Sequence, residues 1–378
     1  MPNCWIEVNL TAIENNYRAL QTLVGESVAL TPILKANAYG HGAVEVARSL
    51  ANIGAPTLAV TRLEEALPIR EAGVETPILL LSPALPDEVA ELIPQRLTAC
   101  LSSFEDAQRL SQAAQKQGAT ARAQLKIDTG MSRFGVTPEE TLETAKKIAA
   151  LPGIELETAW THFAFAGGAA SDTPKVEQQF ARFQSAIGPL AQELGLGGFH
   201  CANSAALLRF PQMRLSCARA GTVLYGQMPS TLAGQAAAQH NLKLQNTFVA
   251  KARVLSVKTI AQGQSVGYGG EWIAPRTTKI ATIGIGFADG FATEPQTRTE
   301  TPFAMLQKTA KQIMRSLKGG APARYMTING QKANIVGRIA MQSCALDVTG
   351  LDVNVGDEAT LALRRTAAGA HLPRVYVR

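Results

Sequence analysis

From about residue 30 to 225 the chain alternates short runs rich in leucine or β-branched residues with longer stretches whose apolar positions recur every three or four residues. The short runs are ALTPILKA (29–36), PTLAVTR (56–62), PILLLSP (77–83), LTACLSS (97–103), RAQLKID (122–128), LETAWTHFA (156–164), GFHCANS (198–204) and CARAGTVLYG (217–226). Between them lie segments such as ETLETAKKIAALP (140–152) and VEQQFARFQSAIGPLAQEL (176–194), whose spacing puts apolar side chains on one helical face. Eight strands alternating with helices predict an α/β protein of the (β/α)8 TIM-barrel type. A doubly wound sheet alternates too, but it usually carries a Gly-rich phosphate loop after its first strand, and G-x-G-x-x-G is absent there.

After about residue 240 the pattern changes. TFVAKARVLSVKTI (247–260), TTKIATIGIGF (277–287), QKANIVGRIAMQSCALDV (331–348) and DEATLAL (357–363) read as strands separated by turn residues. The opening CWIEVNL (4–10) also alternates like a strand and is expected to pair with them. The expected division is a barrel over 11–238 and a β-rich C-terminal domain made of 1–10 plus 239–378. Thr11 reads as the N-cap of a helix TAIENNYRALQTLV, with Glu14 completing a capping box. One helical pattern interrupts the β region: AMLQKTAKQIMRSL (304–317) reads as a solvated amphipathic helix.

Composition narrows the class. With 378 residues, 46% hydrophobic and 17% charged, the chain exceeds one ordinary domain and can bury a sizeable core, which excludes disordered and fibrous habits. The five cysteines (Cys4, Cys100, Cys201, Cys217, Cys344) are scattered, odd in number and without a C-x-x-C pair, a pattern of free thiols in a reducing compartment. The start lacks a positive segment followed by an apolar run, and the apolar stretches are too short to span a bilayer, so a cytoplasmic enzyme without a membrane partner is expected. The formal charge of +6 brings nucleic acid to mind, but lysines and arginines are dispersed, with no aromatic-interleaved patch. A mildly basic enzyme that handles anionic cofactors fits that charge equally well. The histidines show no H-E-x-x-H spacing, which disfavours zinc hydrolase chemistry.

A barrel presents its reactive groups at the C-terminal ends of its strands. Lys35 closes the first run, Lys126 and Asp128 the fifth, His162 the sixth and Asn203 with Ser204 the seventh, while Arg219 and Gly221 lie in the eighth. A lysine within an apolar run is costly unless it titrates or forms a covalent adduct, so Lys35 is the first candidate for chemistry.

PILKANAYGHG (32–42) resembles the cofactor-attachment motif of alanine racemases, in which the lysine binds pyridoxal phosphate as an imine. LKIDTGMSRFG (125–135), THFA (161–164), ANSAA (202–206), RAGTVLYG (219–226), SVGYGG (265–270), IGIGFADG (283–290) and VGRIAM (336–341) match further motifs of that family in the same order, with a gap around 292–325. The resemblance implies an isomerase dependent on pyridoxal 5'-phosphate that interconverts L- and D-alanine or a related small amino acid such as serine, D-alanine being a peptidoglycan precursor. Racemisation needs an acid/base group on each side of Cα. By resemblance these are Lys35 and Tyr268, the tyrosine reaching the barrel of a partner subunit in a homodimer with shared sites. A tyrosine, with an ordinary pKa of about 10, needs nearby cations for such a role, and the resemblance assigns His162 and Arg219 to support it.

Arg219 is further implied to face the pyridine nitrogen, where a guanidinium is a poor proton donor and leaves the ring a restrained electron sink. Tyr39, Ser204, Gly221 and Thr222 are implied to hold the phosphate, and Asn203 belongs to the same cofactor set. Arg133 is implied to grip the substrate carboxylate, with Met341 of the partner's β domain lining the substrate site. Lys126 is carbamylated in many members, which would orient Arg133; an unmodified lysine paired with Asp128 is the other state.

Three departures from the family pattern concern the β domain. Gln342 stands where an aspartate usually follows the methionine, 292–325 is longer than usual, and the tail after Leu363 is shortened while keeping PRVYV. A specialised or broad-specificity racemase therefore stays open. Two other readings remain. A fold-related pyridoxal-phosphate decarboxylase would need a cysteine in the C-terminal domain, for which Cys344 is the candidate, although its context does not resemble that motif. A non-catalytic pyridoxal-phosphate carrier generally stops after the barrel.

Overall fold

A computed structural model describes residues 2–293 and 325–378; the amphipathic pattern at 304–317 lies outside the described residues. Contacts divide the chain into two units, Asn9–Thr247 together with Arg378, and the residues up to Val8 together with Phe248–Val377.

The first strand, β1 (Cys4–Asn9), contributes to the second unit and runs directly into helix α1 (Leu10–Val24). That helix starts one residue before the expected Thr11 cap. The short carboxamide of Asn9 takes the capping position, its Oδ1 accepting from the Ala12 amide at 2.7 Å. The proposed Thr11–Glu14 box does not form, and the Glu14 carboxylate instead accepts from Ser49 Oγ at 2.6 Å.

The 9–247 unit is the predicted TIM-type barrel. Its strands β2 (Ala29–Pro32), β3 (Leu58–Val60), β4 (Ile78–Leu80), β5 (Leu97–Leu101), β6 (Ala121–Lys126), β7 (Ile154–Trp160) and β8 (Cys217–Ala220) are parallel and short. β3 to β7 pair in chain order and β2 pairs with β8. Single bridges close the ring, Ile33 to Ala59 on one side and Trp160 to His200 to Cys217 on the other. The seventh run, GFHCANS, is thus a single bridge residue, His200, rather than a strand. Gly198, at φ 70, turns the backbone immediately before it.

Around the strands lie the short turn α2 (Lys35–Tyr39) and helices α3 (Ala43–Asn52), α4 (Leu63–Glu71), α5 (Phe104–Lys116), α6 (Thr141–Ala149), α7 (Thr173–Leu194), α8 (Ser204–Arg209) and α9 (Thr231–Gln239). No helix among the described residues is long and apolar enough to cross a membrane. Branched apolar side chains fill most barrel interiors. Here Lys126, His200 and Arg219 are buried, and Ile33, Ala59 and Leu79 pack together as an apolar cluster.

The second unit is antiparallel. Its long strand β9 (Phe248–Ile260) pairs with β1 through its first half, which satisfies the expectation for CWIEVNL. The hairpin β10 (Ser265–Val266) and β11 (Trp272–Ile273) follows, then β12 (Thr278–Ile283), β13 (Tyr325–Ile328), β14 (Gln331–Val336), β15 (Cys344–Asp347), β16 (Glu358–Leu361) and β17 (Arg374–Val377). The order is β12-β15-β14-β13-β16-β9-β1-β17, and β12 also pairs with the second half of β9, so the sheet curls back on itself. The run 331–348, read as one strand, is two. The chain breaks at Gly337, whose φ of 68 and whose approach to the Val266 carbonyl, 2.4 Å from where a Cβ would sit, leave no room for a side chain.

Candidate active site

Lys35 lies just past its strand rather than within it. β2 ends at Pro32, and Lys35 opens α2, whose next four residues are all left-handed: Ala36, Asn37, Ala38 and Tyr39 have φ of 52 to 54. Each such L-residue costs roughly 1–2 kcal/mol, so the turn must be held from outside. Glu65 accepts the Ala36 amide at 2.5 Å, Asn37 Oδ1 accepts the Ala43 amide at 2.7 Å, and His41 Nδ1 donates to the Ala38 carbonyl at 2.9 Å. The result presents Lys35 half-buried, its amine pKa held below the ordinary lysine value by burial and then by the Arg133 charge, with Glu65 opposing.

Arg219, at the end of β8, is 2% exposed and donates to neutral partners: His200 Nδ1 at 2.5 Å, the Thr161 carbonyl at 2.7 Å and the Cys201 carbonyl at 3.1 Å. Its guanidinium also lies 5.0 Å from the centre of the Trp160 ring. Among the described residues no carboxylate pairs with it. A buried guanidinium without an anion is costly unless a ligand or a dense set of acceptors compensates. Donors approach both ring nitrogens of His162, Arg219 Nη2 and Asn203 Nδ2 each at 3.5 Å, and burial followed by the Arg219 charge drives its pKa well below the ordinary value. His162 is therefore neutral, so of the two expected supports only Arg219 is a cation.

Lys126 ends β6 and is 3% exposed. Its pKa is pushed down to about 8, chiefly by burial. The expected pair with Asp128 is not formed: Lys126 Nζ donates to the Ile127 carbonyl at 2.8 Å, while Asp128 Oδ1 accepts the amides of Gly130, Met131 and Ser132. Arg133 is exposed, close enough for its charge to reach Lys35, Lys126 and His162.

One cavity of about 230 Å³ gathers Lys35, Tyr39, His162, Asn203, Ser204, Arg219, Gly221 and Thr222. Within it the Gly221 amide, expected to face an anion, donates to Ser204 Oγ at 2.9 Å, which leaves the serine proton to be donated. A Cβ on Gly221 would fall 2.7 Å from the Tyr39 hydroxyl, so the glycine keeps this end of the cavity open. Burial pushes the Tyr39 phenol up to about 12 and keeps it a donor.

The remaining predicted residues belong to the β unit. Tyr268 stands at the tip of the β10–β11 hairpin, 71% exposed, between Gly267 and Gly269 at φ 77 and 73. It borders a cavity of about 460 Å³ that Arg338 and Ala340 also line. Met341 is 61% exposed, and its carbonyl accepts the Ala288 amide at 2.9 Å, tying VGRIAM to IGIGFADG.

The family model of the alanine racemase N-terminal domain matches residues 8–229, and that of the alanine racemase C-terminal domain matches 247–372. The chain belongs to the alanine racemase family. An alanine racemase of Desulforamulus reducens is 35% identical over 99% of this chain and 98% of its own length. Another, of Methanococcus maripaludis, is 34% identical over 94% and 88%. Among solved structures, alanine racemase of Clostridium difficile 630 superposes with a TM-score of 0.86 at 29% identity, covering 100% of this chain and 96% of that one. The alanine racemase of Bacillus anthracis with bound L-Ala-P superposes at 0.82 and 26%, with the same coverage.

The racemase is an isomerase of a family that depends on pyridoxal 5'-phosphate. The cavity fits that group on its own terms: a half-buried amine with a lowered pKa, an arginine that pairs with no carboxylate among the described residues, and Tyr39 and Ser204 hydroxyls at a position where a Cβ on Gly221 would intrude. The decarboxylase reading finds no support. Cys344 is buried and its thiol pushed up to about 12, the state of an inert cysteine. The carrier reading fails on the matched C-terminal domain. Reasoning from sequence passed over His200, Trp160 and Glu65. Only His200, inside GFHCANS, carried a visible polar signal; the other two matter through contacts that no local pattern encodes.

Proposed function

We propose that this racemase interconverts L- and D-alanine in the cytoplasm as a homodimer, with Lys35 and the partner subunit's Tyr268 exchanging the Cα proton from opposite sides. Support comes from one arrangement: Lys35, Arg219, which pairs with no carboxylate among the described residues, and Tyr39, Ser204 and Gly221 line a single cavity. When bound, pyridoxal phosphate supplies the electron sink that acidifies the Cα–H bond.

In this reading Lys35 is the attachment residue and, as a free amine with a lowered pKa, the base on one side. The serine and tyrosine hydroxyls of Ser204 and Tyr39, with Gly221 and Thr222, receive the phosphate. Asn203 and neutral His162 would belong to the same cofactor set, and Arg219 would face the ring nitrogen as a donor that does not release its proton. Arg133 binds the substrate carboxylate, and Met341 of the partner subunit lines the substrate space. Lys126, whose amine pKa burial pushes down to about 8, is a candidate for carbamylation, which would place an anion near Arg133 and Arg219. The barrel unit thus carries the cofactor and the β unit serves the partner's site.

The test is exchange in deuterated water. Starting from L-alanine, deuterium should appear at Cα of both enantiomers, and a Lys35→Ala variant should show neither exchange nor the absorbance of the bound cofactor. Release of carbon dioxide, or deuterium confined to one enantiomer at equilibrium, would overturn the racemase mechanism.

A further inference from the structure

Behind the cavity a hydrogen-bonded line runs from Arg219 away from the cofactor end of the barrel. Arg219 Nη1 donates to His200 Nδ1 at 2.5 Å, His200 Nε2 meets Gln124 Oε1 at 3.0 Å, Gln124 Nε2 donates to Glu157 Oε2 at 3.0 Å, and Glu157 Oε1 is paired with Arg122 Nε. Gln124 and Arg122 alternate with Lys126 along β6, so all three share one face of the strand. The His200 ring stacks on Trp160, 5.7 Å between centres and 6° from parallel, which fixes its plane. Directions in this line are not free. A guanidinium only donates, so His200 Nδ1 must accept; an ionised carboxylate only accepts, so Gln124 must turn its amide N–H₂ toward Glu157 and its oxygen toward His200. Only the Nε2–H tautomer of His200 satisfies both ends.

We propose that Glu157 and Gln124 are positioning residues for Arg219: the Glu157 carboxylate orients the Gln124 amide, which holds the His200 proton on Nε2 and keeps Nδ1 as the acceptor that aims the arginine. Removing the carboxylate frees the amide to flip. The opposite tautomer would then set an N–H against the guanidinium, whose Nη2 is held by the Thr161 and Cys201 carbonyls. This role rests on the assignment of Arg219 to the cofactor ring, so the experiment separates the two claims.

The test uses holoenzyme carrying ¹⁵N-labelled histidine, with the His200 signals identified by their loss in His200→Gln. Wild type should show His200 protonated on Nε2 alone. Glu157→Gln, which keeps shape and loses the charge, should show a mixture of tautomers, a shifted absorbance of the bound cofactor and a roughly fivefold to tenfold lower kcat at unchanged KM, the worth of one buried hydrogen bond. Glu157→Asp should restore the single tautomer in part. Arg122→Gln, which removes the ion pair but keeps the carboxylate, should leave the tautomer as in wild type. An Nδ1-protonated His200 in wild type, an unchanged tautomer in Glu157→Gln, or equal effects of Glu157→Gln and Arg122→Gln would overturn the proposal. A tautomer that changes while the cofactor absorbance does not would uphold the line and overturn the placement of Arg219 at the ring.

Discussion

Gly221 shows how one absent side chain shapes the site. With a Cβ 2.7 Å from the Tyr39 hydroxyl and 3.4 Å from Ser204 Oγ, Gly221→Ala must displace one of two groups assigned to the phosphate. Cofactor affinity should fall about tenfold or more, the loss of a charge-assisted hydrogen bond, read as absorbance lost on dilution of the holoenzyme. Retained absorbance would place the phosphate elsewhere. Lys126 offers a test with a defined sign. Carbamylation needs the neutral amine, whose share rises as pH climbs through about 8. With ¹³C-bicarbonate, a carbamate signal should therefore grow between pH 7 and 9 and be missing in Lys126→Arg. At this scale the motif residues themselves were legible from sequence, because reactive side chains in apolar surroundings stand out. The neutrality of His162 was not. It comes from burial and from the Arg219 charge, which arrives from a strand 57 residues away in the chain.

Among the elements, the left-handed turn after β2 carries the largest strain. Its four residues together cost about 4–8 kcal/mol by their backbone conformation alone, and among the described residues Glu65 is the charged group that answers it. The same carboxylate accepts the Thr61 amide at 2.8 Å, so both oxygens are engaged. Glu65→Gln keeps one acceptor oxygen, and one set of amides loses its partner. The first urea transition should move down by about 1–3 kcal/mol, with faster amide exchange at 36–39. Unmoved exchange there would show that the turn holds without Glu65. Periodicity found the strands and long helices, since burial on one face writes itself into spacing. It missed this turn, the reduction of the seventh strand to His200, and the short strands β13 and β17, where too few residues alternate to register.

For the molecule as a whole, the decisive question is how its two units share a reaction. Tyr268, Ile273, Phe287 and Met341 are among the large apolar side chains left exposed on the β unit, and the proposed reading gives Tyr268 and Met341 to a partner's site. If that partner is a second copy, Lys35→Ala and Tyr268→Phe subunits, each inactive alone, should regain about a quarter of wild-type activity after mixing and re-association. Half of the re-formed dimers are then mixed, and each holds one intact site of two. No recovery would show that each chain completes its own site.

Alternating apolar runs, helical spacing and the ordered motifs around Lys35, Arg219 and Tyr268 were enough to specify a barrel, a β domain and a racemase, because period and residue chemistry are local properties of a chain. The tertiary structure alone decided which nitrogen of His200 accepts, why Lys126 turns from Asp128 to a carbonyl, and that Arg219 pairs with no carboxylate among the described residues. Those outcomes depend on burial and on partners distant in sequence, which are settled only when the strands close into a ring.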